Sequence, residues 1–256
     1  MSAVLQSIID RILLEERENF RSFSAETFAF LKRKPPIDVV EVMEGRFFFI
    51  AEVKKASPSR GPLARNLDSL ELALQYEKAG ASAVSVLTEK NFFLGSKEDL
   101  KTIKHHLSIP VLRKDFLIHP YQVYESYNLG ADFILLIAAC LHDENLERLY
   151  KEALNLGLQV LCEAHTEEDL LRILRLNPKI IGINNRNLKT LEVDRTTSFR
   201  LKKLIPESVR VISESGIYAP SHVRELKEEG FSGVLVGEAL STSSSPLRKL
   251  RELMNA

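Results

Sequence analysis

The chain has 256 residues, enough for one large domain or two small ones with a sizeable buried core. Lys plus Arg and Asp plus Glu each total 35; without net charge there is no global field to draw in nucleic acid or an acidic membrane surface, so an anionic ligand needs a local site. Two cysteines, Cys140 and Cys162, make no disulfide framework, and the longest apolar run, residues 133–141, is far short of the roughly 20 residues that span a bilayer, so a cytoplasmic protein is expected.

The N-terminal stretch MSAVLQSIIDRILLEEREN is rich in charge and lacks the basic-then-apolar order of a secretion signal. Residues 1–45 read as one or two extra helices packed on the rest, with Pro35-Pro36 ending the second. Beyond them, eight short and mostly continuous apolar runs read as strands covered on both faces: 47–53, 83–88, 110–115, 133–138, 159–164, 180–185, 209–215 and 233–238. Their starts lie 21 to 36 residues apart, room for one crossover helix each. Residues 68–79, 143–156 and 219–229 carry helical periodicity. Gly80, Gly130, Gly157 and Gly230 mark helix ends, while Thr166, Pro120 and Ser245-Pro246 mark starts. Such alternation fits a closed barrel or a doubly wound open sheet. Eight regular units favour a single (β/α)8 TIM barrel over residues 1–256, with the N-terminal helices as its extension.

Polar residues interrupt the strands near their C-terminal ends. The first ends in Glu52 and Lys54, which share parity and so face one side. The third ends in Lys114, the fifth in Glu163, the sixth in Asn184 and Arg186, and the seventh in Glu214 and Ser215. A parallel barrel brings all of these ends to one rim, where barrel enzymes hold their active sites. Charges at a barrel mouth are costly unless paired or used. Gly216 and Gly237 follow strands seven and eight, the usual place for phosphate on this fold; they either let backbone N–H groups approach an anion or simply mark turns.

Other features are weaker. His165 lines the mouth or caps and packs locally, Cys162 has the parity of the helix-facing side, and KKASPSRG (54–61) is placed to grip a ligand. The adjacent His105-His106 lack a ligand spacing, so no metal is expected. There is no GxGxxG and no Walker A, so no cofactor is expected and side-chain acid–base chemistry is left.

The motifs IAEVKKASPSRG (50–61), VSVLTE (84–89), VLRKDF (111–116), CEAHT (162–166), IGINNRNL (181–188), ISESGI (212–217) and LVGEAL (235–240) resemble indole-3-glycerol-phosphate synthase across residues 45–241. The resemblance implies closure of the indole pyrrole ring of 1-(2-carboxyphenylamino)-1-deoxyribulose 5-phosphate, with loss of carbon dioxide and water. It implies Lys114 as general acid at the substrate carbonyl and Glu163 as acid–base group in the dehydration. Lys54, beside Glu52, would hold the substrate carboxylate and donate a proton later, with Asn184, Glu214 and Ser215 completing the polar shell. Arg186, Ser57, Gly216, Gly237 and the amide of Glu238 would serve the phosphate end. Phe92, Phe93, Phe116 and Leu135 form an apolar wall for the anthranilate ring, or belong to the general core.

Some relatives carry Ser at the position of Glu238 and many carry Met at that of Ser241; a carboxylate beside phosphate would have to turn away. Lys114 has a lysine and a glutamate as rim neighbours, whose effects on its pKa oppose each other. Rival readings are phosphoribosylanthranilate isomerase, a Schiff-base aldolase and a non-catalytic barrel that binds a phosphorylated ligand. The two-lysine rim, the absence of lysine from strand six and the complete set of acids and bases argue against them in turn. The expected partner is a small phosphorylated substrate, with the chain a monomer or a weak homodimer.

Overall fold

A computed structural model describes residues 3–58, 61–62 and 67–256. Eight parallel strands close into a barrel: β1 (Phe48–Val53), β2 (Ala83–Leu87), β3 (Val111–Lys114), β4 (Phe133–Ile137), β5 (Gln159–Ala164), β6 (Ile180–Asn184), β7 (Arg210–Glu214) and β8 (Gly233–Val236). Closure is made where β1 pairs with β8 (Phe48↔Gly233) on one side and with β2 (Ile50↔Ala83) on the other. Gly233 is required there, because a Cβ would lie 2.1 Å from the carbonyl oxygen of Phe48.

Alternation along the strands sorts side chains into two shells. Ile134, Leu136, Cys162, Ile181, Ile183 and Val234 pack outward in the cluster that joins sheet to helices, as the parity of Cys162 predicts. Phe48, Ile50, Leu112, Leu135, Leu161, Ile180, Ile212 and Leu235 fill the barrel interior. The same inner series continues into Glu52, Lys114, Glu163, Gly182, Asn184, Glu214 and Gly237. β1, β3, β5, β6 and β7 are thus apolar where they enter the barrel and polar where they leave, while β4 stays apolar to Ile137.

Helix boundaries follow local chemistry. Thr166 caps Glu167–Leu174 reciprocally with Asp169, and His119 does the same with Gln122 ahead of Pro120–Leu129. Gly80 and Gly130 end their helices at φ of 100° and 95°, conformations that cost a side chain dearly. Only β5 keeps its expected bounds; the other strands are shorter by a residue or two at one or both ends, and two of those ends have a local cause. β7 stops at Glu214, not Ser215, because Ser215 and Gly216 turn left-handed at φ of 67° and 80°. β8 stops at Val236, and Glu238 instead opens the short helix Glu238–Ser241.

The N-terminal region is also corrected. Helices Ala3–Glu15 and Arg17–Ser22 form, but the second ends at Ser22, well before Pro35-Pro36. The chain then runs without helix to Val39–Val42, which Asp38 caps. Aromatic packing explains this: Phe23, Phe28 and Phe30 meet Tyr121, Tyr124 and Tyr127 of Pro120–Leu129 edge-on or tilted. Arg33 then donates to the carbonyls of Tyr127 and Ala131 at 2.7 and 2.9 Å. No helix among the described residues is long and apolar enough to cross a membrane.

Asp132 anchors this segment to the barrel. Its fully buried carboxylate accepts from the N–H of Ile37 (2.9 Å) and Val111 (2.8 Å) and pairs with Lys104 at 2.6 Å. Asp132→Ala strands all three groups and is expected to cost about 3–5 kcal/mol by urea unfolding. A loss under about 0.5 kcal/mol would mean that the segment is held elsewhere.

Candidate active site

The C-terminal mouth opens onto a cavity of about 890 Å³, counting its space open to solvent. Glu52, Lys54, Lys114, Glu163, Asn184, Arg186, Glu214, Ser215, Gly216, Gly237 and Glu238 all line it, with Phe93, Phe116 and Leu135. Residues spread over most of the chain therefore share one chamber. Of the expected residues, Phe92 and Ser57 do not line it. The Glu89 carboxylate accepts from the N–H groups of Asn91, Phe92 and Phe93 (2.8, 2.7 and 3.0 Å), curling the loop so that only Phe93 reaches the cavity. Phe93 meets Phe116 with ring centroids 6.1 Å apart. Ser57 lies in a short hairpin with Gly61 after β1; of KKASPSRG, Ser59 and Arg60 fall outside the described residues.

Electrostatics at the mouth centre on Lys114. Its ammonium lies 3.4 Å from Glu163 Oε2 and 3.7 Å from Glu214 Oε2. Burial pulls its pKa down, but the carboxylates of Glu163, Glu214 and Glu52 outweigh that and hold it well above the usual lysine range. Of the opposing influences of its neighbours, those of the carboxylates prevail and favour the cation. Lys54 pairs with Glu52 Oε1 at 2.5 Å. Burial favours neutral Glu52, but Lys54 and then Lys114 keep it below the ordinary carboxylate range.

Glu163 and Glu214 divide their fates. Burial raises both, yet Lys114, His165 and Asn184 favour ionised Glu163, whose pKa ends low. Glu214 is raised well above 4.5 by burial and then by the Glu163 charge. The opposite directions fit one proton shared by the two carboxyls, with Glu163 the more readily ionised. His165 Nε2 stands 3.2 Å from Glu163 Oε1, and burial lowers the imidazole's pKa, so His165 joins the site by touching Glu163.

Two glycines make this packing possible. A Cβ on Gly182 would fall 2.2 Å from Glu214 Oε1, and one on Gly237 2.2 Å from Glu52 Oε1 and 2.9 Å from Lys54 Nζ. Gly237 thus makes room for an ion pair, whatever else its amide does. Glu238 stays at the cavity edge, where Arg186 meets its carboxylate at 2.7 Å, so its charge is neutralised in place and not turned away.

Sequence reasoning passed over Gly182, Asn185 and Arg113. Arg113 faces away from the mouth, fully buried, and binds Glu125 (2.9 Å), Asp115 (3.2 Å), Ser126 Oγ (3.0 Å) and Thr88 Oγ1 (3.1 Å). It ties β3, the end of β2 and helix Pro120–Leu129 together beneath Lys114. Its signal was a charge on the apolar-facing parity of a strand, where only a fully paired ion is tolerated.

An ammonium among carboxyl groups, a shared proton and an adjoining apolar wall equip this mouth for proton transfer, which makes the protein an acid–base enzyme of the (β/α)8 class. The family described as indole-3-glycerol phosphate synthase matches residues 9–253. The protein of that name from Ruminiclostridium cellulolyticum is 44% identical over 240 residues, 94% of this chain and 92% of its own. That of Acinetobacter baylyi is 41% identical over 256 residues, 98% of this chain and 96% of its own. A solved chain of the tryptophan synthase complex from Pyrococcus furiosus has a TM-score of 0.61 over 82% of this chain and 98% of its own; at 18% identity the likeness is of fold alone. This chain belongs to the indole-3-glycerol phosphate synthase family, carboxy-lyases of tryptophan biosynthesis.

The raised pKa of Glu214 has a stability consequence. Above pH 4.5 the unfolded chain ionises this group while the folded state must keep it protonated, so its contribution is full below that pH and is lost as pH rises through the folded value. Glu214→Gln removes that cost and keeps a donor toward Glu163. Its melting temperature at about pH 8 should exceed wild type by about 2 °C or more, with the gain shrinking as pH falls. A loss of stability at both extremes would mean that Glu214 is an ordinary ionised partner of Lys114.

Proposed function

We propose that the chain closes the indole ring of 1-(2-carboxyphenylamino)-1-deoxyribulose 5-phosphate, releasing carbon dioxide and water to give indole-3-glycerol phosphate. The observation that carries this reading is the juxtaposition of two lysines, each against a carboxylate, with the apolar wall of Phe93, Phe116 and Leu135 in one cavity. The anthranilate ring rests on that wall and its carboxylate exchanges onto Lys54. As the ring carbon attacks the ketose carbonyl, negative charge grows on the carbonyl oxygen, and the Lys114 ammonium stabilises it and gives it a proton. Breaking the bond to the carboxylate releases carbon dioxide and restores the ring. Elimination of the new hydroxyl as water then needs a proton donor, Lys54, and a proton acceptor, Glu163.

The amides of Gly216, Gly237 and Glu238, with Arg186, take the phosphate end. Among the described residues no backbone acceptor holds the N–H of Gly216 or Gly237, which favours an anion there. The carboxylates 3.4 and 3.7 Å from Lys114 argue against a Schiff base there, which needs a neutral lysine, because they favour the ammonium. We read the chain as one barrel domain with residues 1–45 as its extension, acting in the cytoplasm as a monomer or a weak homodimer without nucleic-acid partners. Its free cysteines, Cys140 and Cys162, suit a reducing compartment.

The test is the fluorescence of indole-3-glycerol phosphate formed by the purified protein. Lys114→Ala should lower turnover about 10³-fold or more while substrate binding stays measurable; near wild-type turnover would remove this mechanism. Glu163→Gln should slow turnover about 10²-fold or more at nearly unchanged stability. A variant that cannot fold would instead make Glu163 a structural residue.

A further inference from the structure

Asn185 follows Asn184 but has the opposite parity, so it leaves the mouth and lies buried under it at 3% exposure. Its amide is fully used: Oδ1 accepts from the N–H of Ser198 at 3.0 Å, and Nδ2 donates to Ser213 Oγ at 3.2 Å and to the carbonyl of Ser215 at 3.0 Å. Its backbone is pinned as well, donating to Glu214 O and accepting from Asp194 N, both at 2.9 Å. From inside the mouth, Asn184 Oδ1 accepts from Ser215 Oγ at 2.9 Å. Two neighbouring asparagines thus grip one serine from opposite sides.

That serine needs the grip. Ser215 has φ of 67°, a left-handed conformation that a residue with a side chain seldom adopts. The peptide joining Ser215 to Gly216 is trans, so its C=O and N–H point in opposite directions. A Ser215 carbonyl drawn outward to Asn185 therefore turns the Gly216 N–H inward, toward the cavity that Ser215 and Gly216 line.

We propose that Asn185 is a positioning residue that aims the Gly216 amide at the substrate's phosphate and thereby sets selectivity for phosphorylated over unphosphorylated substrate. The inference rests on the phosphate end assigned under the proposed function. Asn185 touches no substrate itself; it acts through one peptide plane.

The experiment compares kcat/KM on 1-(2-carboxyphenylamino)-1-deoxyribulose 5-phosphate and on the same compound lacking phosphate. Wild type, Asn185→Asp and Asn185→Ser are measured together. Aspartate keeps the acceptor for Ser198 but loses both donors, and serine is small and neutral, so the pair guards against one variant failing to fold. The expected result is a KM for the phosphorylated compound raised about 10-fold, the value of one hydrogen bond to a charged group, with kcat within about 3-fold. Activity on the unphosphorylated compound should stay within about 3-fold of wild type, and inhibition by inorganic phosphate should weaken in parallel with KM. Equal losses on both compounds, or an unchanged preference, would overturn the role of Asn185. A wild type indifferent to the phosphate would instead overturn the phosphate end itself, so the two failures are told apart.

Discussion

Glu163 and Glu214 cannot both be ionised in the same buried corner with Lys114 as their nearest cation. Lys114 stands close to both, yet one positive charge balances only one negative charge at this depth. A proton shared by the pair resolves the conflict: the Glu214 pKa is raised, and Glu163, which also touches His165 and is favoured by Asn184, is the more readily ionised. Much of the mouth follows from this one proton. It leaves Glu163 as the charged partner of Lys114 and gives it a donor neighbour, while the position of the Glu214 carboxyl requires that Gly182 carry no side chain.

Strand parity lets one short segment serve two purposes. On β3, Leu112 fills the barrel and Lys114 tops it, while Arg113 between them faces the helices and binds four side chains on three elements. After β6, Asn184 faces the mouth and Asn185 the layer behind it. The residue that faces the mouth and the residue that packs behind it are thus adjacent in sequence and opposite in space. A change to either disturbs the other through a shared backbone, which ties the stability of the strand end to the geometry of the site.

This layout explains what the sequence discloses. The eight strands are legible because an apolar run covered on both faces needs no tertiary knowledge to recognise. The mouth residues are legible because Glu52, Lys114, Glu163 and Asn184 break those runs at their ends, and the fold brings such ends together. Features decided by neighbours far along the chain are not legible. Residues 23–38 depend on aromatic partners about a hundred residues away, so their departure from helix has no local cause. The choice between Phe92 and Phe93 depends on how Glu89 curls its loop. Gly182 looks like any strand glycine until the Glu214 carboxyl is placed beside it. Asn185 and Arg113 were readable only as polar residues of the wrong parity.

The charge balance of the mouth bears on how a substrate with two anionic groups is held. Lys54, Lys114 and Arg186 face Glu52, Glu163 and Glu238, with Glu214 neutral, so the chamber carries little net field, as the whole chain does. Attraction at a distance therefore contributes little, and the anions must be met by groups that exchange partners on contact. Lys54 can leave Glu52 for a carboxylate, and backbone amides can take phosphate without any protein cation being freed. In the proposed reaction the substrate carboxylate departs as neutral carbon dioxide. Lys54 is then free to donate to the new hydroxyl before it returns to Glu52, so the chemistry that forms the ring also releases one of the two holds on the product. The phosphate end is unchanged by the reaction and keeps the intermediate in place until water is lost, which is why that end is best built from fixed peptide dipoles.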